Sequence, residues 1–394
     1  MLHNQPSLLF AALSITILTA CGESEKPMTS GINELVVKIG AVSPLTGPQA
    51  HIGKDNENGT RMAIEDANTR GVIIGGRKAH FELISEDDQA DPKTATIVAQ
   101  KLVDAKVNGV IGHLNSGTSI PASRVYNDNG IPQISPSATA VSYTNQGFQT
   151  AFRVMSNDGQ QGKTLGEFAA NILNAKKIAV IDDRSAYGQG LADEFIKSVQ
   201  ANGAQIVARE YTTDKAVDFT AVLTSIKSKQ PDLLFFGGMD PQGVPMAKQL
   251  KALGLNVKFM MGDGGYTPKL LDLAGDAAKG IYASLPGVPL EQMPGGKDFS
   301  QRYKAKYNQP IQLYAPYCYD AVNVMIAAMQ AANSADPAKF LPELSKITHN
   351  GVTANITFDE KGDIKGGAVT LYQVQQGKWQ PLQTMGGNTA ISAH

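Results

Sequence analysis

Two short runs of hydroxyl residues are the places where this chain could do chemistry. Asn115-Ser116-Gly117-Thr118-Ser119 follows the apolar stretch Val110 to Leu114, and Ser135-Pro136-Ser137-Ala138-Thr139 follows Ile131 to Ile134. Small hydroxyl side chains and free backbone N–H groups at successive strand ends suit an anion of carboxylate or phosphate size. The same residues also make ordinary helix N-caps and turns. His51 belongs with this first group; a second comes from later strand ends and comprises Tyr187, Met239 and Asp263, the last within Gly262-Asp263-Gly264-Gly265. Hydroxyls on one side, with a lone carboxylate and apolar or aromatic walls on the other, match a zwitterion with an apolar tail. Each buried ion of such a ligand needs a partner, because leaving one unpaired costs several kcal/mol or more.

Other chemistries fit less well. Gly162-Lys163-Thr164 has the end of a P-loop, but Asn157 stands where its first glycine belongs. Gly188-Gln189-Gly190 opens a dinucleotide fingerprint whose third glycine position holds Asp193. Asp55-Asn56-Glu57-Asn58-Gly59 imitates a calcium loop with its glycine one place early. His3, His51, His80, His113, His349 and His394 show no metal-binding spacing, so no metal is expected. A hydrolase would use Ser116 with nearby His113, yet the G-x-S-x-G elbow is absent because Leu114 occupies its first position.

The elements that must position these residues alternate. Leu35 to Ala41, His80 to Ile84, Val110 to Leu114 and Ile131 to Ile134 read as strands separated by helices, one ending at Gly71 and one starting at Asp91-Pro92. After Phe152-Arg153-Val154-Met155 a second series begins, with strands Lys177 to Ile181, Gln205 to Arg209, Asp232 to Phe236 and Lys258 to Met261. Two strand–helix series of similar size argue for two doubly wound α/β lobes. Helices follow near Phe299–Tyr307, Tyr319–Ala332 and Phe340–Ile347. Thr357-Phe358-Asp359 and Val369 to Val374 then flank a turn and read as a hairpin.

Composition sets the class. The 394 residues carry 35 basic and 36 acidic side chains, without the basic stripe that nucleic acid requires. Leu8 to Leu18 is an apolar run too short to span a bilayer, which takes roughly 20 residues. It ends in Leu18-Thr19-Ala20-Cys21-Gly22, similar to a bacterial lipoprotein signal in which cleavage leaves Cys21 as the lipidated first residue; the alternative is an ordinary secretory signal with an incidental cysteine. MLHNQ lacks the usual Lys or Arg. Residues 1–21 are thus expected to be a leader and 22–33 a polar tether. Cys318 is the one other cysteine, so lipidated Cys21 leaves no intrachain disulfide.

Several landmarks in order resemble the substrate-binding proteins of branched-chain amino acid ABC transporters, the Leu/Ile/Val-binding group with the type I periplasmic binding protein fold. They are Gly40-Ala41-Val42-Ser43 with Thr46-Gly47-Pro48, Val110-Ile111-Gly112-His113-Leu114, Pro121-Ala122-Ser123, Tyr187-Gly188-Gln189-Gly190-Leu191-Ala192 and Phe358-Asp359-Glu360-Lys361-Gly362-Asp363. The resemblance implies two lobes joined by three hinge crossovers near residues 155, 286 and 350. The N-terminal lobe would hold 34–155 and 287–349, and the C-terminal lobe 156–286 and 350–390. By the same resemblance Ser116 would bind the ligand α-carboxylate, and Ser137 and Thr139 would contact carboxylate and ammonium. Asp263 would pair the ammonium, while Tyr187, Met239 and Tyr314 would wall the side chain. Three departures bear on pocket shape. Ile52 stands where relatives can carry Tyr, Met239 where they can carry an aromatic, and Asn115 at one place of a cysteine pair seen in some relatives.

The expectation is a monomeric, lipid-anchored periplasmic receptor that captures an amino acid, needs no cofactor and delivers its ligand to a membrane permease. The alternatives are an exported hydrolase or amidase using Ser116, and an amino-acid sensor for a signalling partner.

Overall fold

The computed structural model describes residues 34–387. The leader, Cys21, the tether and residues 388–390 of the C-terminal segment lie outside the described residues. The first sheet contains β1 (Leu35–Ser43), β2 (Ile73–Ile74), β3 (Arg77–Asp87), β4 (Gly109–Gly112), β5 (Gln133–Ser135) and β6 (Ala151–Arg153), in the order β2-β3-β1-β4-β5-β6. The second contains β7 (Lys177–Asp182), β8 (Gln205–Tyr211), β9 (Leu233–Gly237), β10 (Lys258–Met261) and β11 (Tyr282–Pro286). After the small pair β12 (His349–Asn350) and β13 (Asn355–Ile356), the chain adds β14 (Ala368–Gln375) and β15 (Lys378–Gly386) to the second sheet, giving β15-β14-β11-β10-β9-β7-β8.

The parallel parts of both sheets, β3-β1-β4-β5-β6 and β8-β7-β9-β10-β11, have one winding. The switch points fall between β1 and β4 and between β7 and β9, where open α/β sheets receive ligands. Helices cover both faces, so central strands are continuous apolar runs such as Leu233-Leu234-Phe235-Phe236, all fully buried.

The helices are α1 (Ala50–Arg70), α2 (Pro92–Asp104), α3 (Ser116–Asp128), α4 (Asp158–Glu167), α5 (Ala186–Ala201), α6 (Thr220–Ser228), α7 (Asp240–Ala252), α8 (Pro268–Ala274), α9 (Gly296–Tyr307), α10 (Ala315–Ala331) and α11 (Pro337–Leu344). α1 stops at Gly71, whose φ of 65° is left-handed, and Asp91 caps α2 through Thr94 N–H with Pro92 in the first turn. α9 to α11 return to the first sheet, where α10 packs on α1, β4 and β5. The chain therefore passes between sheets after β6, after β11 and again before β14, as two lobes with three crossovers require.

Three sequence readings change. The hairpin is β14 with β15, turning at Gln376-Gly377, both with positive φ. Thr357-Phe358-Asp359 makes only one isolated bridge, Phe358 to Ile364, around a tight turn. β15 hid because Lys-Trp-Gln-Pro-Leu-Gln-Thr is polar and contains proline, which an edge strand tolerates. Gly162-Lys163-Thr164 lies inside α4, where a Cβ on Gly162 would come within 2.6 Å of Glu194 Cβ, so that glycine serves close packing of α4 on α5. Asp55 sits within α1 and accepts from the backbone N–H groups of Gln312, Leu313, Tyr314 and Ala315 and from the Tyr303 hydroxyl, at 2.8–3.0 Å. The apparent calcium loop is an anchor for the start of α10.

Arg153, fully buried at the end of β6, joins the crossovers to the hydroxyl loop. Its guanidinium donates to Asp363 Oδ1 at 2.5 Å, to the carbonyls of Ala138 and Ala140 at 2.7 and 3.0 Å, and to Thr144 Oγ1 at 2.6 Å. Asp363 also accepts from Asn157 at 2.9 Å. Breaking a buried ion pair by removing one partner costs roughly 3–5 kcal/mol. Arg153→Met should lower the unfolding free energy by about that amount in urea denaturation; a loss under about 1 kcal/mol would mean that Asp363 is satisfied without it.

Candidate functional site

Parallel winding brings the carboxyl ends of both sheets to one place. Ser116 opens α3 after β4, and Ser137 follows β5. Tyr187 lies in the first turn of α5 after β7, Met239 precedes α7 after β9, and Asp263 follows β10. Tyr314 immediately precedes α10. Six of the eight predicted ligand residues, Ser116, Ser137, Tyr187, Met239, Asp263 and Tyr314, line one narrow cavity of about 10 Å³ together with Leu114 and Asn115. By that measure it has room for about one water, so the lobes stand nearly closed on each other. Larger concavities exist on the back of the crossovers, but none gathers these groups.

Ile52 and Thr139 stand elsewhere. Ile52 is fully exposed to neither solvent nor cavity; it packs in the main core. Thr139 is buried behind the cavity wall.

Asp263 is the centre of the polar contacts. Its Oδ1 accepts from the Tyr187 hydroxyl at 2.7 Å and Gln161 Nε2 at 3.1 Å, and its Oδ2 from the Tyr314 hydroxyl at 2.6 Å. Tyr314 comes from the first lobe, so this bond spans the cleft. Gln161 also donates to Asp158 Oδ1 at 3.0 Å and accepts from Ser284 Oγ and Asp263 N–H at 2.7 and 3.2 Å. Two buried carboxylates, Asp158 and Asp263, thus share one amide donor. Among the described residues neither forms an ion pair with a basic side chain. The Thr139 hydroxyl lies beside Asp158 outside hydrogen-bonding geometry, so Thr139 Oγ1 and Asp158 Oδ2 are both without a partner.

Burial raises the Asp263 carboxyl, with the tyrosine and glutamine donors opposing. Burial and then the nearby Asp263 charge push Asp158 up to about 8. Burial first, with the Asp263 charge adding, raises the Tyr187 and Tyr314 hydroxyls too, so both remain donors.

The opposite wall offers donors. Ser116 Oγ accepts from Ala140 N–H at 3.1 Å, which leaves its own hydrogen to give. At the start of α3 the Thr118 and Ser119 N–H groups are taken by the Asn115 carbonyl, which leaves those of Ser116 and Gly117 without an intrahelical acceptor, and the helix dipole adds positive potential there. Ser137 Oγ is spent on the Leu114 carbonyl at 3.0 Å.

A second bond bridges the lobes at the rim. His51 Nε2 meets Asp240 Oδ2 at 2.8 Å, and Thr267 Oγ1 donates to the same oxygen at 2.8 Å. His113, nominated with Ser116, is fully buried with Nδ1 on Asp88 at 2.8 Å and Nε2 on the Tyr126 hydroxyl at 3.0 Å.

Chain-wide comparison agrees with this architecture. The model of a family described as periplasmic binding protein matches residues 36–378. The chain belongs to that family. It is 35% identical over 367 residues, 93% of its own length and 95% of the relative's, to the leucine-, isoleucine-, valine-, threonine- and alanine-binding protein of Pseudomonas aeruginosa. Among solved structures, a leucine-binding protein of Thermotoga maritima superposes with a TM-score of 0.82 at 28% identity, covering 89% of this chain and 98% of the other. The branched-chain amino acid transporter substrate-binding protein of Streptococcus pneumoniae, in complex with isoleucine, gives 0.80 at 26% identity, covering 89% and 99%.

The sequence reading missed Asp158, Gln161 and Asp240. Each stands at or just inside a helix start after a strand or crossover, where Asp or Gln reads as ordinary first-turn polarity; their convergence on one cleft is not local information.

Asp158 carries a pH dependence. An opening of the cleft that admits water to Asp158 would return its carboxyl toward the ordinary range. The lobes-together form therefore binds more protons below about pH 8, and acid favours it until the carboxyl is protonated in both forms. Small-angle scattering of ligand-free protein should show the radius of gyration falling as pH is lowered from about 9 toward 5, with a weaker response in Asp158→Asn. Expansion over that window would reverse the sign and refute the assignment.

Proposed function

We propose that this protein is an extracytoplasmic receptor that captures a free L-α-amino acid with a short, branched side chain between its lobes and delivers it to an ABC transporter permease. The observation that carries this reading is the charge asymmetry of one small cavity. Asp263, a buried carboxylate without an ion pair and backed by Asp158 through Gln161, stands on one side, and the Ser116 hydroxyl with the free amides at the start of α3 stands on the other. An α-ammonium satisfies the first and an α-carboxylate the second, while Leu114, Met239 and the tyrosine rings accept an aliphatic side chain. The names of the relatives, which bind leucine, isoleucine and similar ligands, agree with that chemistry.

Ser116 donates to the carboxylate, and Asp263, with Asp158 behind it, holds the ammonium. Thr139 supplies its unpaired hydroxyl to the same charge, and Ser137 positions its loop. Ile52 shapes the pocket from within the core. Capture needs no covalent step, only greater affinity for the closed form than for the open one. The lobes are 34–155 with 287–349 and 156–286 with 350–390, hinged near 155, 286 and 350. The protein acts as a monomer held to the bacterial envelope through lipidated Cys21.

Asp263→Ala should weaken amino-acid binding by about 3–5 kcal/mol, a hundredfold to several thousandfold, because it strips one partner from a buried ion pair. It should also abolish ligand-induced compaction in small-angle scattering at concentrations that saturate the wild type. Closure with near wild-type affinity would remove Asp263 from the ammonium site and the zwitterion reading with it.

The anchor has its own test. Acyl chains contribute about 0.8 kcal/mol per buried CH₂, and two or more hold a protein firmly on a bilayer. Cys21→Ser should move the protein from the detergent phase to the aqueous phase with amino-acid affinity unchanged. Wild-type protein already in the aqueous phase would rule the anchor out.

A further inference from the structure

One residue of the cavity lining, Asn115, carries a buried acceptor that nothing among the described residues satisfies. It occupies the N-cap position of α3, where an asparagine side chain ordinarily accepts from a first-turn amide. Here it makes no capping bond; Thr118 and Ser119 N–H groups reach the Asn115 backbone carbonyl instead, at 3.2 and 2.9 Å. The amide is held by its other end, with Nδ2 donating to Gln49 Oε1 at 2.8 Å. That leaves Oδ1 buried, without a partner, on a residue that lines the cavity beside Leu114 and Met239. An acceptor withheld from water and from the protein favours a ligand that donates to it and penalises one that cannot.

We infer that Asn115 is a specificity-determining residue that selects, among amino acids of similar shape, one whose side chain carries a hydrogen-bond donor. A β-branched hydroxyl amino acid of threonine size fits both features of the pocket: the branch meets Leu114 and Met239, and the hydroxyl donates to Asn115 Oδ1. Valine has the same outline and buries the acceptor unpaired. The inference rests on the amino-acid reading above and refines the ligand class for the same site.

Calorimetric titration of the full chain, freed of bound ligand, with L-threonine, L-valine and L-leucine separates the two. Threonine should bind roughly tenfold to a hundredfold more tightly than valine, the span set by leaving one buried acceptor unmade. Asn115→Leu, of similar size without the acceptor, should invert the order. A purely structural role for Asn115 would weaken threonine and valine together and leave their ratio unchanged, which overturns the inference. Wild-type protein that binds valine as tightly as threonine also overturns it, whether or not the variant folds, while leaving the amino-acid reading intact. Failure to bind any of the three overturns both.

Discussion

Two neighbouring buried carboxylates, paired by no basic side chain among the described residues, govern this structure. Asp158 and Asp263 are buried within reach of a single glutamine amide, with neutral donors around them. Hydrogen bonds from two tyrosines and Gln161 lessen the cost of burying Asp263 but do not neutralise it. The lobes can come together around these carboxylates by taking up a proton or by enclosing a cation. A ligand ammonium is a cation that also brings a carboxylate for Ser116 and the start of α3. Ligand capture and lobe closure are then one equilibrium, in which the ligand supplies the charge that the protein omits.

The rest of the molecule holds this arrangement in register. Asp55 gathers four backbone amides ahead of α10 and so fixes Tyr314, whose hydroxyl reaches across the cleft to Asp263. Arg153 holds the carbonyls on either side of Thr139 and ties them to Asp363 near the third crossover. The hydroxyl loop is thus tied by one buried side chain to the segment that follows the third crossover. His51 and Asp240 close the rim from opposite lobes. Anchors within each lobe are rigid and numerous, whereas the polar bonds across the cleft are few, the distribution expected of a hinge device.

Much of this was legible in the sequence for a local reason. Parallel strands buried on both faces announce themselves as apolar runs, and the residue after each run lies on the ligand edge by topology alone. Ser116, Ser137, Met239 and Asp263, each just past such a run, line one cavity. The unreadable parts depend on distant partners. Asp158 and Gln161 look like an ordinary helix start until Asp263, a hundred positions later, is brought beside them. β15 is a polar edge strand with Pro381, and its pairing is set by β14 and the Gln376-Gly377 turn, not by its own pattern. Ile52 looked like a pocket wall, yet its helix turns it into the core.

The central claim is that the protein supplies acceptors at one end of the cavity and donors at the other, for a ligand bearing both charges. Mass spectrometry of small molecules released by denaturing protein purified without added ligand tests it directly. A free α-amino acid at near one-to-one occupancy is the expected result. A stoichiometric ligand lacking either the ammonium or the carboxylate would contradict it.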